Sequence, residues 1–156
     1  MGFFAELISN PILMVPAVSW AIAQVLKVFI NALVNRKFSL DRLFGDGGMP
    51  SGHSATVMAL AAMVGIEQGF ASPLFAVSAI LAIIVMHDAM GVRREAGKQA
   101  TAIISISRVI GDYFAEKDVE KKTEKLKVMV GHSPLQVVVG AILGVIVALG
   151  YFWIYK

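Results

Sequence analysis

The chain has 156 residues, of which 57% are hydrophobic and only 16% charged. That balance excludes an ordinary soluble domain and points to a single integral membrane domain. The net charge is a modest +3, and the lack of cysteine excludes a disulfide framework and a thiolate metal site.

The fold class expected is an all-α, polytopic membrane helical bundle with about four transmembrane helices and an interfacial amphipathic helix. A span takes roughly 20 apolar residues. The first candidate is Pro11–Val34, introduced by Asn10-Pro11, an N-cap residue before a proline at the first helical position. It lacks a basic n-region and a small-residue cleavage site, so it reads as a retained span rather than a cleaved signal peptide. Gln24, Lys27, Asn31 and Asn35 recur on it at spacings of three and four. Such a polar stripe faces the bundle interior or a wet cavity, not lipid. Lys27 can also snorkel toward the nearer surface.

The second candidate, Ser54–Gly69, is short for a span and calls for bilayer thinning or protein cover. The third, Pro73–Met90, is again introduced by serine-proline, and Gly69 and Gly91 read as stops. Gln99–Phe114 carries Ile103, Ile104, Ile106, Val109, Ile110 and Phe114 among polar residues, the pattern of a helix lying at the membrane surface. Glu116–Lys127 is a mixed-charge run that reads as solvated. The last span is Pro134–Tyr155, preceded by Ser133. Within it, Gly140 and Gly144 mark a close-packing face, within one chain or between two copies.

Twelve of the fourteen basic residues fall in Asn35–Pro50 or Gly91–Val130. Four spans put both regions on one side, and the positive-inside rule makes that side cytoplasmic. Both termini then face outward, and the segment 99–130 lies at the cytoplasmic surface.

Two short motifs stand at span entrances on that side. Gly47–Ser54 reads Gly-Gly-Met-Pro-Ser-Gly-His-Ser, and Gly131–Val137 reads Gly-His-Ser-Pro-Leu-Gln-Val. Glycine-rich backbone at a helix N-terminus turns N–H groups toward an anion, so Ser51, Gly52 and His53 form a candidate phosphate cradle. His132 and Gln136, four apart, share a face if the helix begins early enough. Gln136 could then fix the tautomer of His132; equally, Ser133-x-x-Gln136 is a capping box that needs no catalysis. The third span ends in His87-Asp88. A carboxylate at a helix C-terminus opposes the macrodipole, so Asp88 calls for a cationic partner. Arg93 and Arg94 could supply it and also grip a phosphate, or could simply be positive-inside arginines. Asp46, His53, His87, Asp88 and His132 match no standard metal-ligand spacing, and no metal is expected.

Pro50-Ser51-Gly52-His53 matches the P-S-G-H motif of the type-2 phosphatidic acid phosphatase superfamily, which includes vanadium haloperoxidases. His132-x-x-x-Gln136-Val137-x-x-Gly140 resembles its H-x-x-x-D-V-x-x-G motif. The chain is most similar to the small divergent branch of acid phosphatase/vanadium-dependent haloperoxidase-related membrane proteins, through Gly47–Ser54, Asp88–Gly97 and Gly131–Pro134. The resemblance implies a metal-independent, cofactor-free phosphatase acting through a phosphohistidine. His132 would be the nucleophile, His53 the general acid, and backbone near Ser51 and Gly52 the phosphate cradle.

Three departures from the superfamily pattern stand out. Gln136 replaces an aspartate, a role Asp88 could take over from another helix. The lysine and arginine-proline motif is absent, leaving Lys27. Leu126 occupies the position of an arginine, which Arg93 or Arg94 could replace. The expected partners are a lipid phosphate substrate and membrane lipids, with no nucleic acid. A homo-oligomer through the Gly140/Gly144 face is a further expectation. A phosphate-binding membrane protein without turnover is the alternative reading.

Overall fold

The computed structural model describes residues 2–35, 48–114 and 132–155, without the side chains of 34, 35, 92–94, 96 and 108–114. The described residues form six helices and no strand: α1 (Phe3–Ser9), α2 (Pro11–Asn35), α3 (Gly52–Gln68), α4 (Pro73–Met90), α5 (Val92–Phe114) and α6 (Pro134–Tyr155). The protein is therefore a membrane helical bundle.

The helix starts follow local chemistry. Asn10 Oδ1 accepts from the Ile12 N–H at 3.0 Å, ahead of Pro11. Ser72 Oγ accepts from the Phe75 N–H at 3.2 Å, ahead of Pro73. Gly69 ends α3 at a φ of +87°, a conformation that suits glycine, with its N–H on the Gly65 carbonyl at 3.0 Å. Gly91 closes α4 on the His87 carbonyl at 2.9 Å.

α2, α4 and α6 are each long and apolar enough to cross a membrane. α3 has 17 residues, about 25 Å at 1.5 Å per residue, which is less than a full hydrocarbon core. It is nonetheless the centre of the bundle, packed against α2, α4 and α6. Its small residues make that possible: Ala55, Ala59, Ala61 and Gly65 are buried along it. Val15, Ala59, Met63 and Ala148 form the core between α2, α3 and α6.

The pairing of positions gives the directions. Gly140 of α6 meets Ser51, Gly144 meets Ala55 and Ala59, and Ala148 packs with Ala59 and Met63, so α6 runs parallel to α3. Trp20 and Gln24 of α2 meet Gly52, Ser19 Oγ donates to the Ala55 carbonyl at 3.2 Å, and Val15 packs with Met63, so α2 runs antiparallel to it. Gly140 and Gly144 are thus covered by α3 of the same chain. A Cβ at Gly140 would overlap the Ser51 carbonyl, and one at Gly144 the Ala55 carbonyl.

α2 ends one residue later than the sequence reading, at Asn35, and α3 runs Gly52–Gln68 rather than Ser54–Gly69; α5 and α1 differ more. α5 starts at Val92, seven residues before Gln99, because only Gly91 interrupts an otherwise helix-compatible run. α1 was not anticipated, since its seven residues are too few for periodicity to register. α5 packs only on α4 among the described helices, and Ile103 and Ile106 on it are exposed. The mixed-charge run 116–127 lies outside the described residues.

Candidate functional site

The two histidine motifs meet. The ring centroids of His53 and His132 are 6.1 Å apart, with the planes inclined at 55°. Parallel α3 and α6 start at the same end of the bundle, which brings both motifs to one mouth.

Backbone hydrogen bonds set the spacing. The Ser51 N–H donates to the Gln136 carbonyl at 3.0 Å, tying the first motif to α6. The His132 N–H donates to the Ala89 carbonyl at 3.0 Å, tying the second motif to the end of α4. The second bond occupies one of the carbonyls that a helix C-terminus leaves without an intrahelical partner. Gly140 permits the first, because a side chain there would collide with the Ser51 backbone.

Ser51 is the N-cap of α3. Its Oγ accepts from the Ser54 N–H at 3.4 Å and from Ser54 Oγ at 3.1 Å, and both serines are buried. Gly52 and His53 open the helix, so the first-turn N–H groups and the positive end of the dipole lie beside the imidazole. His53 is half-buried, whereas His132 is 3% exposed.

Lys27 is also 3% exposed. It does not snorkel out of the bundle but lies along the first motif. A Cβ at Gly48, where φ is +112°, would fall 2.9 Å from Lys27 Cγ and 3.1 Å from Cδ. Gly48 is therefore required twice, for its conformation and for the room it leaves the lysine stem. A buried ammonium is costly unless compensated, so its position beside the cradle is informative.

Ser133 and Gln136 form the capping box. The Ser133 N–H donates to Gln136 Oε1 at 2.9 Å, and the Gln136 N–H to Ser133 Oγ at 3.4 Å. The glutamine carbonyl thus serves the start of α6.

Asp88 is half-buried in the last turn of α4, one residue before the carbonyl that holds His132. His87 beside it is exposed. Arg93 and Arg94 lie in the first turn of α5, and their side chains are outside the described residues, as are Asp46 and Leu126 altogether.

Gln24 of α2 joins these residues. Gln24 is 9% exposed, and its Oε1 has no hydrogen-bond partner among the described residues. Its Cδ would lie 3.9 Å from a Cβ at Gly52, so it faces the N-terminus of α3. The signal was its place in the polar stripe, one turn from Lys27.

The site therefore combines two imidazoles, a buried lysine, a helix N-terminus and a buried amide at one mouth of the bundle. A family profile described as the Divergent PAP2 family matches residues 8–147. The "Uncharacterized membrane protein YuiD" of Bacillus subtilis (strain 168) is 42% identical over 156 residues, covering 95% of this chain and 99% of that protein. No solved structure matches the chain. The profile spans both histidine motifs and ends within α6, and the chain belongs to the Divergent PAP2 family.

Proposed function

We propose that this protein is a membrane phosphatase that hydrolyses a lipid phosphate monoester or pyrophosphate at the cytoplasmic face through a phosphohistidine. The observation that carries this reading is the 6.1 Å between the His53 and His132 rings. Rings this close border one site, where the attacking nitrogen, about 3–3.5 Å from phosphorus, and the proton donor, within about 3 Å of the leaving oxygen, can reach the same phosphoryl group.

In the proposed reaction His132 attacks phosphorus, a P–N bond forms, and the P–O bond to the lipid alcohol breaks. His53 gives its proton to the departing oxygen. Water then attacks the phosphohistidine, His53 takes a proton from it, and the P–N bond breaks to release inorganic phosphate. Lys27, Ser51 and Gly52 would hold the phosphate oxygens, with Arg93 and Arg94 as further cations. Asp88 would support the His132 imidazolium from α4. The cytoplasmic placement rests on the basic segments 35–50 and 91–130.

The test is phosphate release from a panel of phosphatidate, phosphatidylglycerophosphate and polyprenyl phosphates by purified protein, with trapping of acid-labile phosphohistidine. Replacing the nucleophile, His132→Ala, is expected to abolish both release and trapping. Replacing the acid, His53→Ala, is expected to slow release by about 10²–10⁴-fold. Full release by His132→Ala would overturn the mechanism.

A second reading has its own observation. Gln136 stands where the superfamily has aspartate, and its Oε1 accepts from the Ser133 N–H. A neutral, engaged amide supports a protein that binds phosphorylated lipid without turnover. Saturable vanadate binding with neither phosphate release nor trapped phosphohistidine would decide for it.

A further inference from the structure

We infer that the cleft between α3, α4 and α6 holds the hydrocarbon chain of the lipid whose phosphate lies between His53 and His132. This rests on the proposed lipid phosphate reading and adds how the tail is read.

The cleft has a volume of about 500 Å³ and an apolar lining. Its width comes from small residues, Ala61 and Ala62 on α3 and Ala79 and Ala82 on α4. Its rim includes Ile83, which is 59% exposed, so a chain can enter sideways from lipid. The two ends differ. At the far end the Phe70 ring lies over Gly65, where a Cβ would fall 2.8 Å from Phe70 Cδ1. Phe70 also stands edge-on to Phe75 with centroids 5.1 Å apart. Together they floor the cleft.

The near end leads to the site along all three helices. Met58 is five residues beyond His53 on α3. Val145 is five residues beyond Gly140, which touches Ser51. Met86 is three residues before Ala89, whose carbonyl holds His132. At 1.5 Å per residue these are steps of about 5–8 Å, the reach of a head group. From Met86 to the floor at Phe75 the cleft runs about 16 Å by the same rise. An amphiphile with its phosphate at the imidazoles must send its tail into the membrane, and this cleft opens an apolar space one to two helical turns away. In a bilayer the tail gains little by transfer from lipid, so what the cleft supplies is shape, and with it selection by length. The occupant is one chain long enough to reach the phenylalanine floor.

The test uses full-length protein in lipid nanodiscs and two photoprobes, hexadecyl phosphate and octyl phosphate, each with a diazirine at the chain end. Labelled residues are mapped by peptide mass spectrometry. The long probe is expected to label Phe70, Phe75 or Ala79, and the short one residues near Met58 and Met86. Unlabelled hexadecyl phosphate should compete, and hexadecanol should not. Ala79→Leu narrows the cleft and is expected to lose deep labelling severalfold while shallow labelling by the short probe persists, which also reports that the variant is folded. Label spread over Ile80 and Ile84 on the outer face, indifferent to Ala79→Leu, would overturn the inference. Hydrolysis of the probe with such spread label would overturn the cleft and leave the phosphatase. Cleft labelling without hydrolysis would do the reverse.

Discussion

Gln24 and Gly140 show how single residues divide the work of this site. Gln24 carries a buried acceptor without a partner among the described residues. An unsatisfied buried polar atom costs on the order of 1–3 kcal/mol, and the proposed ligand would relieve that cost beside Gly52 through a protonated phosphate oxygen or a head-group hydroxyl. Replacing it with an apolar residue of similar size, Gln24→Leu, is expected to leave thermal stability in detergent unchanged or raise it. The same change should weaken phosphate or vanadate binding measured by calorimetry. A loss of stability with intact binding would assign the residue to the fold. Gly140 has the opposite character. Gly140→Ala drives a Cβ into the Ser51 backbone and should destabilise by about 1–3 kcal/mol in denaturant unfolding, with loss of ligand binding. Gly150, which has open space around its Cβ position, is the matched control and should accept alanine.

At the scale of elements, the helices that the sequence marked most clearly are those with serine or asparagine before proline, and these starts agree with the structure at Asn10, Ser72 and Ser133. The reason is local: cap and proline act within one turn. α3 was legible as an apolar segment but not as the centre of the bundle. Its length called for bilayer thinning or protein cover, and the meeting of Ala55 with Ser19 and Gly144, and of Ala59 with Gly144 and Ala148, put it inside. α5 is the element most exposed to a direct test. Spin labels at Ile103 and Ile106 should be quenched by oxygen dissolved in lipid, and labels at Thr101 and Ser105, on the other side of the helix, by a water-soluble nickel chelate. The reverse pattern, or equal quenching by oxygen at all four, would mean that α5 does not lie along the membrane surface.

The whole molecule turns on the common mouth of α3 and α6. Their parallel packing sets both histidines at one end, and the proposed cytoplasmic placement of that end rests on the charge pattern alone. Since the chain lacks cysteine, single cysteines report sidedness without background. In intact cells an impermeant maleimide should label Ala71→Cys, in the turn between α3 and α4, and reach Lys98→Cys only after permeabilisation. The inverse would place the site on the other face.

The sequence by itself determined the membrane class, the helix starts at Pro11, Pro73 and Pro134, the clustering of basic residues and the two histidine motifs. Each is carried by composition or by contacts within a few residues. It left open what the Gln136 backbone carbonyl meets, whether Gly140 and Gly144 join helices or copies, and where Lys27 points. Those answers depend on residues far apart in the chain. The Gln136 backbone carbonyl accepts from the Ser51 N–H, the glycines admit the backbone of α3, and Lys27 lies along Gly48. Only packing three helices around a fourth could decide them, because the partner that settles each question is supplied by another segment of the chain.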